Sequence, residues 1–124
     1  NLPSLLIVAG VFQYFHKADI LRLMGELKAL FPQGELIFDA ANQTGLRYAN
    51  RYVKRTGNTS AEMYFYVNSG HQFGEEANLQ LIAERPFFTA ARQQLKHKLR
   101  LFTRIAMAVT DYTGRAQIFH YRLG

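Results

Sequence analysis

The residues of this chain best suited to chemistry fall in two short stretches. Gly10, Val11, Phe12, Gln13, Tyr14, Phe15 and His16 form one, and Asp39 to Asn42 the other. His16 carries an imidazole, whose ring nitrogens can take up or give a proton. Tyr14 offers a phenol, Gln13 an amide and Asp39 a carboxylate. Each also has a plainer role: Gly10 in a tight turn, His16 at a helix start, Tyr14 and Phe15 as plugs of a strand end, and Asp39 as a cap for the next element. His71, His97 and His120 show no metal-ligand spacing, and His97 and His120 read as surface or sheet residues. With no Cys in the chain, disulfides and every thiolate metal site are excluded. No Gly-rich dinucleotide loop, Walker loop or G-x-S-x-G elbow is present.

The elements that must position these residues are legible in the hydrophobic pattern. Leu5, Leu6, Ile7, Val8 and Ala9 are continuously apolar, which predicts a buried central strand covered by helices on both faces. From Ile20, apolar residues recur at Leu23, Met24, Leu27, Leu30 and Phe31, a helical stripe that Pro32-Gln33-Gly34 ends. Leu36, Ile37 and Phe38 then form a second strand closing at Asp39. Strand, helix and strand joined by short loops make a right-handed βαβ unit with parallel strands. In open α/β sheets ligands bind beyond the carboxyl ends of such strands, here Ala9 to Tyr14 and Asp39 to Asn42.

Further along, Asn42 to Gly45 caps a helix over residues 45–55, with Leu46, Ala49 and Val53 facing inward and Gly57 beyond its end. Its outer side carries Arg47, Arg51, Lys54 and Arg55 and reads as a solvated surface. Met63 to Val67 reads as a short strand, and a helical turn comes after it around residues 74–78. Residues 79–84 alternate as a strand that stops before Pro86. Thr89 caps a long helix reaching Thr110, with Leu95, Leu99, Phe102, Ala106 and Val109 inward and Arg92, Lys96, Lys98, Arg100 and Arg104 outward. Residues 116–123 form the last strand. No internal repeat, linker or low-complexity tract interrupts this order.

The 124 residues amount to one domain, and 48% hydrophobic content with ten Phe and seven Tyr supplies a core. No run is long enough to span a membrane, no stretch resembles a signal peptide, and a cytoplasmic protein fits. The net charge of +6 invites a polyanionic partner through the basic faces of the two later helices. The same excess arises if an acidic remainder completes a longer chain. A chain that opens as Asn1-Leu2-Pro3 almost directly on its first strand, with no initiator Met, reads as a fragment.

The stretch VAGVFQYF, the helix after it and FPQGELIFDA resemble the second half of the class I S-adenosylmethionine-dependent methyltransferase fold. The similarity is to the branch that holds leucine carboxyl methyltransferases and the O-methyltransferases of tetracenomycin-type polyketide synthesis. Gly10, Val11, Phe12 and Tyr14 match that branch's acid-Gly-Val-aromatic/aliphatic-x-Tyr pattern, Glu35 to Asp39 its fifth strand, and Tyr112 through IFHYRLG its closing strand. The resemblance covers nearly all of the chain. It implies an α/β fold: a C-terminal fragment carrying part of a Rossmann-like, seven-stranded sheet whose last strand is antiparallel.

The resemblance also implies a transferase that moves a methyl group from S-adenosyl-L-methionine to a carboxylate or hydroxyl of a small, polyketide-like molecule. A carboxylate acceptor is ionised at neutral pH and needs positioning more than a base. A phenol, with a pKa of about 10, benefits from one. Gly10, Val11 and Phe12 are then expected to wall the cofactor, Tyr14 and His16 to be catalytic, and Gln13, Tyr14, Asp39 and Asn42 to contact the acceptor. Ala9 stands where the family often has an acid, and the family's glycine-rich cofactor loop is not in this chain, so the fragment alone is expected to be inactive. Other readings are a dimerisation domain and a basic module binding nucleic acid; against the latter, Glu26, Glu35, Glu75 and Glu76 are mixed among the basic residues and no RNA-binding or helix-turn-helix signature is present, so a nucleic-acid partner is not expected. An uncovered first strand is further expected to pair with a second copy, giving a homo-oligomer.

Overall fold

The computed structural model describes residues 3–55, 57, 62–86 and 116–124. The long helix expected over residues 89–110, with its basic face, lies outside them. The elements are β1 (Leu5–Val8), α1 (Lys17–Leu30), β2 (Glu35–Ala40), α2 (Gln43–Arg55), α3 (Gly70–Ala77), β3 (Gln80–Pro86) and β4 (Gln117–Arg122). One 3-10 turn, Phe12–Tyr14, leads from β1 into α1.

The four strands form one mixed sheet in the order β1-β2-β4-β3. β1 and β2 run parallel, as the crossover through α1 requires. β4, the last strand in the chain, inserts between β2 and β3 and is antiparallel to both. The fold is therefore α/β with a partial Rossmann-like sheet ending in an antiparallel strand, as anticipated.

β1 has the bare edge expected of the first strand and lacks, among the described residues, the cover expected on both of its faces. It is an edge strand, paired with β2 alone among the described residues. Leu6 and Val8 turn toward the core, while Leu5 and Ile7 remain 55% and 68% exposed on the other face. A continuous apolar run marks a strand meant to be covered on both faces. Within these residues β1 has cover on only one.

The core lies on the face of the sheet that α1 and α3 cover, and it is built around Phe38. The rings of Phe12, Phe73, Phe119 and Tyr121 sit 5.1 to 5.8 Å from it, centroid to centroid, and Phe65 at 6.3 Å. Tilted, edge-on and parallel pairs fill the space without a face-to-face sandwich of all six rings. Ile20 and Met24 bring α1 into this cluster, and Leu36 and Leu123 close its lower end. α1 begins at Lys17, ahead of its first core residue at Ile20, because the chain needs one polar turn to leave the strand end. Two lysines on α1 tie it to α3 and its end: Lys17 pairs with Glu76, and the Lys28 ammonium donates to the Asn78 carbonyl.

Residues 63–67 alternate as expected, with Phe65 and Val67 buried and Tyr64 and Tyr66 partly exposed. They do not join the sheet. The amides of Tyr64 and Phe65 donate to the Gln13 carbonyl and that of Val67 to the Ala41 carbonyl. Met63 is held by the Asn50 side chain, whose Nδ2 donates to its carbonyl and whose Oδ1 accepts from its amide, each at 2.8 Å. Loops and one side chain thus supply partners for the amides of Met63, Tyr64, Phe65 and Val67 without a neighbouring strand.

β3 continues through Pro86 rather than stopping before it; as the sheet's second edge among the described residues it has a side on which a missing N–H costs nothing. An extra residue, Ile82, interrupts its register between Leu81 and Ala83. Among the described residues no helix is long and apolar enough to cross a membrane.

Candidate functional site

The carboxyl ends of β1 and β2 lie side by side because the two strands pair in parallel from Leu5 with Glu35 to Val8 with Phe38. Just past β1 the backbone turns at Gly10, whose φ of +68° an L side chain rarely adopts. The space where a Cβ would stand is open, so the backbone and not crowding calls for glycine here. The Gly10 amide donates to Oδ1 of Asp39 at 2.7 Å. Asp39 thus clamps the turn after β1 and leaves the capping of α2 to others. Asn42 Oδ1 accepts from the Gly45 amide and Asn68 Oδ1 from the Gln43 amide, so two asparagines satisfy the first turn of that helix.

The expected site residues separate by what they expose. Val11 and Tyr14 are 45% and 47% exposed at the strand end, available to a ligand. Phe12 points the other way, into the core against Phe38 and Phe65. Gln13 contributes its backbone carbonyl to the anchoring of Tyr64 and Phe65. His16 occupies the N-cap position of α1 without a capping hydrogen bond from its side chain. Its ring stacks instead on Tyr64, centroids 4.1 Å apart and planes 29° from parallel. The structure therefore brings Gly10 and Asp39 into contact and places Val11, Tyr14 and His16 on the turn beside them, while Asn42 serves α2.

A groove of about 390 Å3 runs beside Gly10 on the face opposite α1 and α3, walled by Ile7, Ala9, Ile37 and Ile118 with Asp39 as its one charged residue. A second hollow, about 400 Å3, lies between the turn and α1, where Val11, Phe15 and Leu23 meet Asp19 and Glu26. Both are largely apolar, and the first lies along the uncovered face of β1. A smaller polar hollow of about 130 Å3 sits behind the Lys17–Glu76 pair, lined also by Tyr66, Asn68 and Gln72.

Tyr64 and Asn68 went unassigned in the sequence reading, although they support His16 and α2. Tyr64 is 48 residues from His16, and only the alternation of Met63 to Val67, which exposes every second side chain, hinted that it faces outward. Among the described residues no group of three or more His, Asp and Glu is placed to hold a metal ion.

The sequence matches no protein-family profile and no curated protein. In structure the chain is similar to a DUF574 family protein from Streptomyces avermitilis, with a TM-score of 0.59 at 15% sequence identity over 98% of this chain. It also aligns with PKMT2 from Rickettsia typhi, with a TM-score of 0.46 at 13% identity over 95% of this chain. The chain spans 44% and 34% of those two proteins' lengths. The first likeness is one of fold: the four strands and their covering helices make up an arrangement that a larger α/β protein contains.

Proposed function

We propose that this chain is part of an S-adenosyl-L-methionine-dependent O-methyltransferase, acting on a carboxylate or hydroxyl of a small, polyketide-like molecule in the cytoplasm. One observation carries the reading: a parallel β1-α1-β2 unit followed by a final antiparallel strand set between β2 and β3, in the sheet order β1-β2-β4-β3. The motif resemblance at Gly10, Val11, Phe12 and Tyr14 falls at the carboxyl end of β1, where open α/β sheets bind ligands. Its Asp39 counterpart on β2 is in direct contact with Gly10.

The cofactor, when bound, supplies an electrophilic methyl group. The residues here fit one wall of its site only. Gly10, Val11 and Ala9 offer backbone and small apolar surface, but the neighbouring groove holds no cation for an amino-acid carboxylate and a single acid, already engaged with Gly10. This chain's own residues position the acceptor: on the exposed turn the Tyr14 hydroxyl can orient a carboxylate, and the His16 imidazole can accept a proton from a phenol. Catalysis of this kind rests on proximity and orientation. A bare chain is then inactive, and its uncovered β1 pairs with a further chain.

Calorimetric titration of S-adenosylhomocysteine tests the reading. It is run on this 124-residue chain and on the polypeptide extended upstream along the same reading frame. Binding by the longer polypeptide alone is the expected result. Absence of binding by both removes the methyltransferase reading.

A further inference from the structure

The outward side of α2 gathers cations and tyrosines with no acid among them. Between Asp39 and Glu62 the sequence has Arg47, Arg51, Lys54 and Arg55 and no carboxylate. All four side chains are exposed, and among the described residues none forms an ion pair. Tyr48 and Tyr52, one helical turn apart, are each 65% exposed. At 100° per residue these six positions fill one continuous sector of roughly 160°. Leu46, Ala49, Asn50 and Val53 occupy the opposite sector, where Leu46 is buried and Asn50 is bound to Met63.

We propose that this face of α2 is a docking surface for a single-stranded nucleic acid, with Arg47, Arg51, Lys54 and Arg55 on phosphates and Tyr48 and Tyr52 stacked on bases. Charge complementarity carries the cationic half: four cations within about two and a half turns, unpaired among the described residues, present a field that only a polyanion neutralises throughout. The tyrosines choose among polyanions. An exposed aromatic ring has an unpaired base as its natural partner, whereas in a duplex the base faces are already stacked. A membrane surface needs a helix that turns its apolar side outward, and the apolar side of α2 is spent on the interior. The inference stands on the α2 surface alone and is independent of the methyltransferase reading.

Fluorescence anisotropy of a labelled oligothymidylate of ~20 nucleotides, titrated with the 124-residue chain, tests it. Binding is expected to weaken a few tens-fold between about 50 and 200 mM salt, as four neutralised phosphates dictate. Tyr48→Leu and Tyr52→Leu each weaken it about fivefold or more with the salt slope unchanged, since only stacking is lost. Arg47→Gln with Arg51→Gln flattens the slope, whereas Arg122→Gln, on β4, does not. As the chain has no Trp, bound bases also quench its tyrosine emission directly, and the Tyr48 and Tyr52 variants retain less of that quenching. All substituted positions are exposed, and unchanged circular dichroism shows that the fold persists. The proposal is overturned by no binding at about 50 mM salt, by equal affinity for a duplex of the same length, or by tyrosine variants that bind as tightly as the parent. Sedimentation with phosphatidylserine vesicles without oligonucleotide binding also overturns it, in favour of a membrane surface.

Discussion

The Gly10 amide and the Asp39 carboxylate, 29 residues apart, meet at 2.7 Å and fasten the end of β1 to the end of β2. Gly10 holds φ at +68°, a conformation that costs an L residue about 1–2 kcal/mol. Gly10→Ala is therefore expected to lower unfolding free energy by about that amount, read from urea titration at unchanged slope. Asp39→Asn retains an acceptor and is expected to cost less than Asp39→Ala.

Tyr121 is fully buried, and its hydroxyl donates to the Gly70 carbonyl at 2.6 Å. Burial, helped by the Glu84 carboxylate, pushes the phenol well above its ordinary value. The folded state therefore keeps its proton where the unfolded chain loses it. This stabilisation is fully present below the unfolded value of about 10 and is lost as pH rises from there toward the higher folded value. Denaturant midpoints should fall steeply above about pH 10. Tyr121→Phe should remove that alkaline fall while costing about 0.5–1.5 kcal/mol at neutral pH, because the hydrogen bond to the Gly70 carbonyl is lost.

Asn50 grips Met63 through both halves of its side-chain amide. Asn50→Ala should release residues 62–67 from α2, at a cost of about 1–3 kcal/mol for two backbone groups left without partners. Limited proteolysis should then cut the segment faster. Asn50→Asp keeps the acceptor for the Met63 amide and should give an intermediate rate.

Gly74 packs so closely on the end of α3 that a Cβ there would stand 2.9 Å from the Leu79 carbonyl oxygen. The obstacle is backbone, which cannot swing aside. Gly74→Ala should cost about 1–3 kcal/mol despite its gain in helix propensity, whereas Gly25→Ala, where nothing lies within 4 Å, should be neutral or stabilising. Thermal unfolding of the two variants gives opposite shifts on this account.

Edge strand β1 leaves Leu5 and Ile7 in solvent. Light scattering across a concentration series should show the chain associating, and Ile7→Lys should keep it monomeric with unchanged circular dichroism, since an edge lysine blocks strand addition. A parent chain that stays monomeric at high concentration overturns the pairing.

Periodicity located α1, α2 and the four sheet strands within the described residues, because the 3.6-residue stripe of α1 and the alternation of β4 reflect burial on one face; α3 runs over Gly70–Ala77, starting four residues before the turn expected around 74–78, on the Ser69 cap. Periodicity failed where partners decide the outcome. The apolar run of β1 describes a strand covered on both sides, and its place at an edge depends on which strands surround it. Residues 63–67 have the pattern of a strand and lack only a neighbour to pair with. At the site, the turn after β1 was legible from Gly10 and the strand end from Asp39. The clamp between them, and the stacking of His16 on Tyr64, depend on contacts across 29 and 48 residues that local pattern does not encode.

Ile82 changes the parity of β3. Ahead of it, Leu81 opposes Tyr121; beyond it, Glu84 opposes Phe119, where an uninterrupted strand would have placed Ala83. Leu81 and Glu84 consequently look toward the same side of the sheet, although residues three apart in a regular strand face opposite ways. Were Ile82 to take an ordinary place in the ladder, the carboxylate that acts on Tyr121 would cross to the far side and Ala83 would stand where it was. The carboxylate's share in the alkaline behaviour of a buried phenol on one strand, smaller than that of burial, is thus set by the count of residues on another.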